Sequence, residues 1–276
     1  MSSAGRYRFA RWGLLIVLIA VLACVVFAGP VSAFVSRATH ITIVATPAVS
    51  TRSSIAVRFG SSTATCPTGQ HVMFGGFKWG TSGMRRTASN RWTVYGWNVA
   101  ISVEGANNSP LSMSSMAYCG FGPLASKATS TVEIHYDPSG RVGSATAQCP
   151  AGTVVVAGGF ATTPNSAVLV TGLERLAADR WRVSAHLLQT TAHAALTAIA
   201  YCGSGPAPKL VSRRIKHYRF GPVHATCPVG RHLVFGGAIA KGYNVFLETM
   251  RAKDQTTWTV EGKGGYGDMT ALAYCR

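Results

Sequence analysis

The residues of this sequence that are best suited to chemistry are clustered basic side chains. They form two groups in the chain, Arg213, Arg214, Lys216 and Arg219 in one and Arg85 with Arg86 in the other. Guanidinium and ammonium groups attract phosphate, sulfate and carboxylate groups, and salt weakens that attraction. We therefore expect both groups to bind anions. The alternative is that these side chains are solvated surface charge that keeps an apolar chain soluble.

The charge of the whole chain supports an anionic partner. The formal net charge is +17 over 276 residues, whereas 47% of the residues are hydrophobic and 13% are charged. This composition excludes a disordered polyelectrolyte and a collagen-like chain, because both lack the apolar residues of a core. No nucleic-acid-binding motif is recognisable. We expect the partner to be an anionic cell-envelope polymer or lipid head groups, and not nucleic acid.

A glycine pattern near the C-terminus matches a phosphate-binding motif in letters only. Gly262, Gly264 and Gly267 spell Gly-x-Gly-x-x-Gly. That motif binds phosphate only between a strand and the N-terminus of a following helix. Too few residues follow for a helix and a second strand, so we interpret the glycines as a hairpin loop.

Other catalytic or metal-binding patterns are weak. His71 and His232 each lie five residues after a cysteine, but a valine, Val154, takes that place in a third related segment. The sequence contains no Gly-x-Ser-x-Gly, His-Glu-x-x-His or Cys-x-x-Cys pattern. We assign no catalytic residue, no metal ligand and no cofactor. With only nine carboxylates, a hydrolase whose site lies between repeats is the remaining enzymatic alternative.

The N-terminal segment has the pattern of an export signal. Arg6, Arg8 and Arg11 precede an uncharged apolar run over residues 12–35, and the small residues at 31–33 suit cleavage after Ala33. We assign residues 1–33 to a signal peptide. Because the run over 12–35 is long enough to span a bilayer, an uncleaved membrane anchor is the main alternative. A lipid attached at Cys24 is a weaker one, since apolar residues continue after it.

Export makes disulfide bonds the default state of the remaining cysteines. Removal of residues 1–33 takes away three arginines and no acidic residue, which lowers the net charge from +17 to +14. Six cysteines remain after Cys24 is lost: Cys66, Cys119, Cys149, Cys202, Cys227 and Cys275. An even number of cysteines in an exported chain favours disulfides. We expect a protein that is secreted or held on the extracytoplasmic face of the membrane.

The cysteines belong to a unit that occurs three times. Each copy begins with Ala-x-Cys-Pro-x-Gly, continues with an apolar run closed by a glycine pair, and ends with Ala-Tyr-Cys. The glycine pairs are Gly75-Gly76, Gly158-Gly159 and Gly236-Gly237. Between glycine pair and closing cysteine we align a Trp with a Val two residues later, at Trp92, Trp181 and Trp258. Recurrence of this kind indicates a repeat architecture.

The repeat suggests a disulfide pairing. One cysteine opens each copy and one closes it, so the economical bonds are Cys66–Cys119, Cys149–Cys202 and Cys227–Cys275. Each would close a loop of about 50 residues, worth roughly 4 kcal/mol in the chain-entropy model. Bonds between copies are the alternative, but they would give equivalent cysteines different roles.

Periodicity predicts strands to position these residues. Leu196, Ala198, Ala200 and Cys202 alternate with polar or aromatic residues, a period of two that is typical of a β-strand. We expect about five strands in each copy, with Cys-Pro-x-Gly as a tight turn. The fold class predicted is all-β, with three disulfide-closed β modules after an N-terminal hydrophobic helix. The modules span residues 34–122, 123–205 and 206–276, arranged in tandem or around a pseudo-threefold axis.

The unit of Cys-Pro-x-Gly, Gly-Gly, Trp and Ala-Tyr-Cys resembles that of uncharacterised exported bacterial β-repeat proteins. The resemblance covers nearly all of residues 40–276 and implies an exported β-repeat fold. It implies no catalytic or ligand residue. The repeated Trp and Tyr are expected in the core, with ligand stacking as the alternative. Together these patterns favour a non-enzymatic binding or structural protein of the bacterial cell envelope over a secreted hydrolase.

Overall fold

A computed structural model of the chain describes residues 42–45, 57–79, 85–104, 113–137, 142–163, 168–188, 193–242 and 245–276. All regular elements within these ranges are β-strands, which confirms the predicted fold class. None of these residues forms a helix long and apolar enough to cross a bilayer. The predicted signal peptide or anchor at residues 1–33 lies outside the described part of the chain.

Within the described ranges each repeat contributes six strands or long-strand halves, one more than the pattern predicted. Those of the first repeat are β1 Thr42–Ala45, β2 Val57–Thr65, β3 His71–Trp79, β4 Arg85–Arg91, β5 Gly96–Glu104 and β6 Met113–Gly120. Those of the second are β7 Ser126–His135, β8 Gly143–Gln148, β9 Val154–Thr162, β10 Val168–Ala177, β11 Arg180–Leu187 and β12 His193–Gly203. Those of the third are β13 Lys209–Thr226, β14 Leu233–Gly242, β15 Val245–Ala252 and β16 Thr257–Cys275.

The three repeats are arranged around a pseudo-threefold axis, and each composite sheet takes three strands from one repeat and three from another. The first sheet has the order β2-β5-β4-β9-β12-β7. The second joins β8-β11-β10 to β14 and to the paired halves of β16 and β13 that contain residues 267–275 and 209–218. The third joins the other halves of β13 and β16 to β15-β3-β6-β1. Of the two arrangements predicted, the structure shows the pseudo-threefold one.

The long strands of the third repeat explain why one sequence prediction was wrong. Gly262, Gly264 and Gly267 lie within β16, a continuous strand, and not in a hairpin loop. Gly262 pairs with Gly221 of β13, and Gly267 pairs with Gly242 of β14. The glycines therefore lie where one strand passes from the third sheet into the second.

The tryptophan that recurs in the first repeat is Trp97 and not Trp92. Trp97 is 1% exposed, as are Trp181 and Trp258, whereas Trp92 is 72% exposed in the loop between β4 and β5. Trp97 also has a valine two residues later, Val99, which is fully buried. The alignment on Trp92 was therefore wrong by five residues. Core packing of the recurring Trp is confirmed once Trp97 replaces Trp92.

The glycine pairs allow two close approaches that a Cβ atom would block. A Cβ on Gly158 would lie 2.0 Å from the ring of Trp181 in the same repeat. A Cβ on Gly159 would lie 2.6 Å from the carbonyl oxygen of Ser89 in the preceding repeat. The other two pairs meet equivalent atoms at 2.0–2.3 Å. The first glycine of each pair thus admits the Trp ring, and the second admits the neighbouring repeat.

The turns and disulfides have the predicted arrangement. The bonds are Cys66–Cys119, Cys149–Cys202 and Cys227–Cys275, with Cα–Cα distances of 5.6, 5.6 and 5.7 Å. After each opening cysteine the chain makes a turn whose glycine has a positive φ, at Gly69, Gly152 and Gly230. That φ favours glycine at the third position of a type II turn.

All three disulfides lie at one end of the fold, which we call the disulfide end. In each repeat the opening cysteine donates its backbone N–H to a hairpin carbonyl, as Cys66 does to Tyr95 at 2.7 Å and Cys227 does to Thr256 at 2.8 Å. The tyrosine before each closing cysteine joins its own repeat to the hairpin of another repeat. Its hydroxyl accepts a hydrogen bond from the backbone N–H of the hairpin, in the pairs Arg91–Tyr201, Arg175–Tyr274 and Ala252–Tyr118.

At the disulfide end, two arginines form hydrogen bonds with the segments that connect consecutive repeats. The Arg91 guanidinium lies 4.6 Å from the centre of the Tyr201 ring and donates to the carbonyl of Ala125 at 2.7 Å. Arg175 lies 4.8 Å from the centre of the Tyr274 ring and donates to the carbonyl of Pro208. Ala252 takes the equivalent place in the third repeat, since its N–H donates to the Tyr118 hydroxyl.

We predict opposite effects for the two tryptophans of the first repeat. Trp97→Ala removes a buried ring that fills the space above Gly75, so it should lower the free energy of unfolding by about 3–5 kcal/mol. Trp92→Ala, the matched control, should change it by less than about 0.5 kcal/mol because Trp92 is exposed. Denaturant unfolding of the two variants measures the difference. Equal losses would contradict the assignment of Trp97 to the core.

The tyrosine hydroxyls give a second prediction. Tyr118→Phe leaves the buried backbone N–H of Ala252 without its acceptor at 2.7 Å, so it should destabilise the fold by about 1–3 kcal/mol. Tyr95→Phe alters an exposed ring and should have almost no effect. Thermal and denaturant unfolding of both variants provide the comparison. A stable Tyr118→Phe variant would show that the bond between the third and first repeats is dispensable.

Candidate functional site

The basic residues of the third repeat lie on a strand that is paired along one side within the described residues. Residues Lys209–Ile215 of β13 pair with β16, from Lys209 opposite Cys275 to Ile215 opposite Met269. β13 is therefore the edge of the second composite sheet. Lysine and arginine on an edge strand also discourage pairing with another chain. The position alone is compatible with both an anion-binding surface and a protected edge.

The predicted group on β13 is exposed, and two of its members, Arg213 and Arg214, have no basic counterpart in the second repeat. Arg213, Arg214, Lys216 and Arg219 are all exposed. The second repeat has Ser130 and Thr131 where the third has Arg213 and Arg214, since these positions face equivalent residues of β12 and β16. Strand β7, which contains Ser130 and Thr131, is the equivalent edge of the first composite sheet. The fold therefore does not require basic residues at these two positions.

A fixed bend in β13 separates Lys216 from Arg219. His217 has a φ of 51°, and the pairing with β16 is irregular on both sides of Tyr218. The Tyr218 hydroxyl donates to the Gly262 carbonyl at 2.9 Å and accepts from the Gly262 N–H at 2.8 Å. These two bonds fix the backbone of the bend, so the basic side chains flank a defined corner.

One carboxylate partly neutralises this surface. Arg214 forms an ion pair with Asp268 of β16, and its Nε donates to Asp268 Oδ2 at 3.0 Å. This hydrogen bond from Arg214 holds the pKa of Asp268 below its usual value. Asp268 therefore stays ionised, and an incoming anion must compete with it for Arg214.

The structure does not bring the second predicted group to the same strand or sheet. Arg85 and Arg86 lie in β4, with their backbones opposite Ser102 and Ile101 of β5. Strand β4 belongs to the first composite sheet, whereas β13 belongs to the other two. The side chains of Arg85 and Arg86 lie outside the described part of the structure, so anion binding there remains a prediction.

The two aligned histidines differ in environment. His71 is half-buried, and burial together with the nearby Arg91 charge lowers its pKa. His232 is exposed. In the described ranges, no three residues among His, Cys, Asp and Glu are grouped closely enough to hold a metal ion.

A small cavity lies at the pseudo-threefold axis. It is lined by five glycines of the glycine pairs, Gly75, Gly76, Gly158, Gly159 and Gly236, and by large side chains that include Phe77, Phe160 and Leu173. Its volume of about 20 Å³ accommodates about one water molecule and no organic ligand. The axis is therefore part of the packed core.

The alignment error concealed an exposed apolar surface in the first repeat. Trp92 and Tyr95 are exposed in the hairpin loop between β4 and β5, whereas the alignment predicted a core position for Trp92. Counting from the opening cysteine could have found the error, because Trp97, Trp181 and Trp258 follow it by 31, 32 and 31 residues. Trp92 follows it by only 26 residues.

A scan against protein-family models and a search of curated proteins found no match to this chain. Its function must therefore be inferred from its own residues and their geometry.

We predict that the Asp268 carboxylate limits anion binding at β13. Asp268→Asn should raise the salt concentration needed to elute the protein from immobilised polyphosphate, because Arg214 loses its internal counter-charge. Asp179→Asn makes the same change in net charge in the β10–β11 hairpin and should have a smaller effect. Equal shifts for both variants would mean that net charge alone governs the interaction.

Proposed function

We propose that this chain is an exported, non-enzymatic binding protein of the bacterial cell envelope, and that it holds anionic surface polymer along β13. The observation that carries the proposal is the exposed group Arg213, Arg214, Lys216 and Arg219, in which Arg213 and Arg214 stand where the second repeat has Ser130 and Thr131. A fold-stabilising role would be expected to recur in both repeats. The basic residues are instead an addition to the third repeat.

The disulfides support the proposed location. Three disulfide bonds, one in each repeat, indicate folding in an oxidising environment. The export pattern of residues 1–33 leads to such an environment outside the cytoplasm. We therefore place the protein outside the cell or on the extracytoplasmic face of the membrane, where anionic polymers are the abundant partners of a basic surface.

The geometry of β13 suits an extended ligand. Residues 213–216 cover roughly 10 Å at the usual rise of a strand, and Arg219 follows beyond the bend at His217. Successive side chains of a strand point to opposite faces, so Arg213 and Arg214 present charge on both sides of the edge. A flexible polymer that lies along the edge can contact both sides, whereas a small compact anion would contact only one.

The use of the recurring residues supports a binding role over catalysis. The recurring Trp rings pack on glycines, the Tyr hydroxyls join repeats, and the cysteines form disulfides. The ionised groups Glu174 and Arg182 pair with each other across β10 and β11. These residues stabilise a rigid scaffold, and the variable surface positions are the ones available for a partner.

The test is a matched pair of charge variants. Replacement of Arg213, Arg214, Lys216 and Arg219 by Gln should weaken binding to purified anionic envelope polymer by about tenfold or more. The control replaces four other exposed cations by Gln: Lys127, Arg180, Lys241 and Lys253. Both variants lose four charges, so a specific site predicts a much smaller loss in the control. Binding would be measured for the full chain across a salt series.

Either of two results would contradict the polymer site. Equal weakening in both variants would show attraction by net charge alone. Unchanged binding in the β13 variant would place any polymer site elsewhere. Circular dichroism and unfolding of each variant would establish that the fold is retained, as expected for exposed positions.

A further inference from the structure

The first repeat exposes five large apolar side chains at the disulfide end. Trp92, Val94 and Tyr95 lie in the β4–β5 loop, and Phe121 and Leu124 lie in the segment that follows Cys119. Phe121 is 62% exposed and Tyr95 is 52% exposed. We call these five residues the aromatic surface. Exposed groups of this kind mark contact sites more often than isolated apolar residues do.

The fold does not require apolar residues in the β4–β5 loop. The Val72 N–H donates to the Val94 carbonyl at 3.0 Å, and in the third repeat the Leu233 N–H donates to the Gln255 carbonyl at 2.9 Å. The two loops are therefore equivalent in backbone pairing and in length. The third repeat has Lys253, Asp254, Gln255 and Thr256 where the first has Trp92, Thr93, Val94 and Tyr95.

The segment after the closing cysteine shows the same contrast. Phe121 and Leu124 correspond to Ser204 and Ala207 of the second repeat, counted from Cys119 and Cys202. The glycine between them, Gly122 or Gly205, has a positive φ in both repeats, so the backbone is similar. In both halves of the aromatic surface, the first repeat thus has large apolar residues where another repeat has small or polar ones.

The first repeat is also the one that follows the N-terminal apolar run. The chain enters the described fold at Thr42, which pairs with Cys119 at the disulfide end. The run over residues 12–35 ends seven residues earlier in the sequence. If the run is kept as an uncleaved anchor, which is the alternative to the signal peptide, the connection to Thr42 spans at most about 25 Å.

The charges at this end match a membrane that contains anionic lipids. Arg180, Lys253, Arg231 and Arg276 lie in or beside the hairpins, turns and closing cysteine of the disulfide end. The carboxylates of Asp179 and Asp254 there accept internal hydrogen bonds, from Gln148 and from Thr256 and Thr257. Basic residues near a surface attract anionic lipid, and Trp and Tyr favour the interface between lipid and water.

We propose that the aromatic surface rests on the outer face of the lipid bilayer, with Trp92, Tyr95 and Phe121 inserted at the level of the head groups. The proposal rests on the proposed export of the chain but not on polymer binding at β13. The disulfide end then faces the membrane and leaves the edge formed by β13 accessible from the side.

The test uses quenching of tryptophan emission by lipid. The full chain carries Trp12→Phe, to remove the tryptophan of the apolar run, and Trp79→Phe, to remove the one at the end of β3. It is reconstituted with phosphatidylcholine and phosphatidylglycerol that carry bromine on the upper acyl chain. Trp97, Trp181 and Trp258 are buried, so they should not contribute to the quenched emission. We expect Trp92→Phe to remove at least half of the quenched emission.

Two further variants test the rest of the surface. Phe121→Ser with Leu124→Ala introduces the residues of the second repeat, retains Trp92, and should reduce quenching at least twofold because the loop enters the lipid less deeply. Leu188 is an exposed leucine that follows β11 at the end of the strand away from the β10–β11 hairpin. Leu188→Ser should leave quenching unchanged. The β13 charge variant should also retain quenching, which separates this proposal from polymer binding.

Three outcomes would overturn the proposal. The first is quenching that Trp92→Phe does not alter, and the second is an equal reduction by Leu188→Ser. The third is a dimer in lipid-free detergent that dissociates when Phe121 and Leu124 are replaced, because the surface would then belong to a second copy of the chain. Recovery of the chain in the cytoplasm would contradict export itself, which cell fractionation reports separately.

Discussion

The absence of side chains at the glycine pairs permits the close packing on which the rest of the structure depends. In each repeat one glycine lies under the ring of the buried Trp, and the next lies against a backbone carbonyl of another repeat. A methyl group at either position would occupy space that an aromatic ring or a backbone atom already fills. Since backbone cannot move aside as a flexible side chain can, the two glycines determine packing both within and between repeats.

These contacts form a closed ring, so the repeats are not independent units. The Phe74–Tyr118 stack of the first repeat packs against Trp258 of the third, and the Phe235–Tyr274 stack packs against Trp181 of the second. In the remaining interface Ala157 takes the place of the Phe, and Tyr201 packs against Trp97. Each aromatic cluster thus combines side chains of two repeats. Burial raises the pKa of Tyr201 and Tyr274 to about 12, so both hydroxyls stay protonated at neutral pH.

The residues that recur in all three repeats pack in the core or join the repeats. The exposed residues that differ between repeats are the ones available for function. The basic edge of β13 belongs to the third repeat alone among the strands compared, and the aromatic surface belongs to the first. The two surfaces differ in chemistry, one charged and one apolar. A protein that touches a membrane at one end and a polyanion along one side would use both. The pseudo-threefold scaffold supplies equivalent positions, and different residues at those positions give each surface its own chemistry.

The sequence alone was sufficient for the strand class, the turns and the disulfide pairing. Alternation with a period of two and glycine after Cys-Pro are local features, and local backbone geometry determines their outcome. The disulfide pairing followed from the repeat, because each copy has one cysteine at each end. The sequence also located the basic group later found on β13, because the positions of charged residues are read directly from it.

Only the tertiary structure decided whether Gly262 and Gly267 form a loop or a strand, and how the repeats associate. Trp92 and Trp97 both have a valine two residues later, so that local pattern does not distinguish them, whereas the spacing from the opening cysteine does. The glycines of β16 lie in a strand because β13, β14 and β15 supply hydrogen-bond partners from distant parts of the chain. Burial and pairing of this kind depend on contacts between residues far apart in sequence, and the pattern within a single repeat carries no information about them.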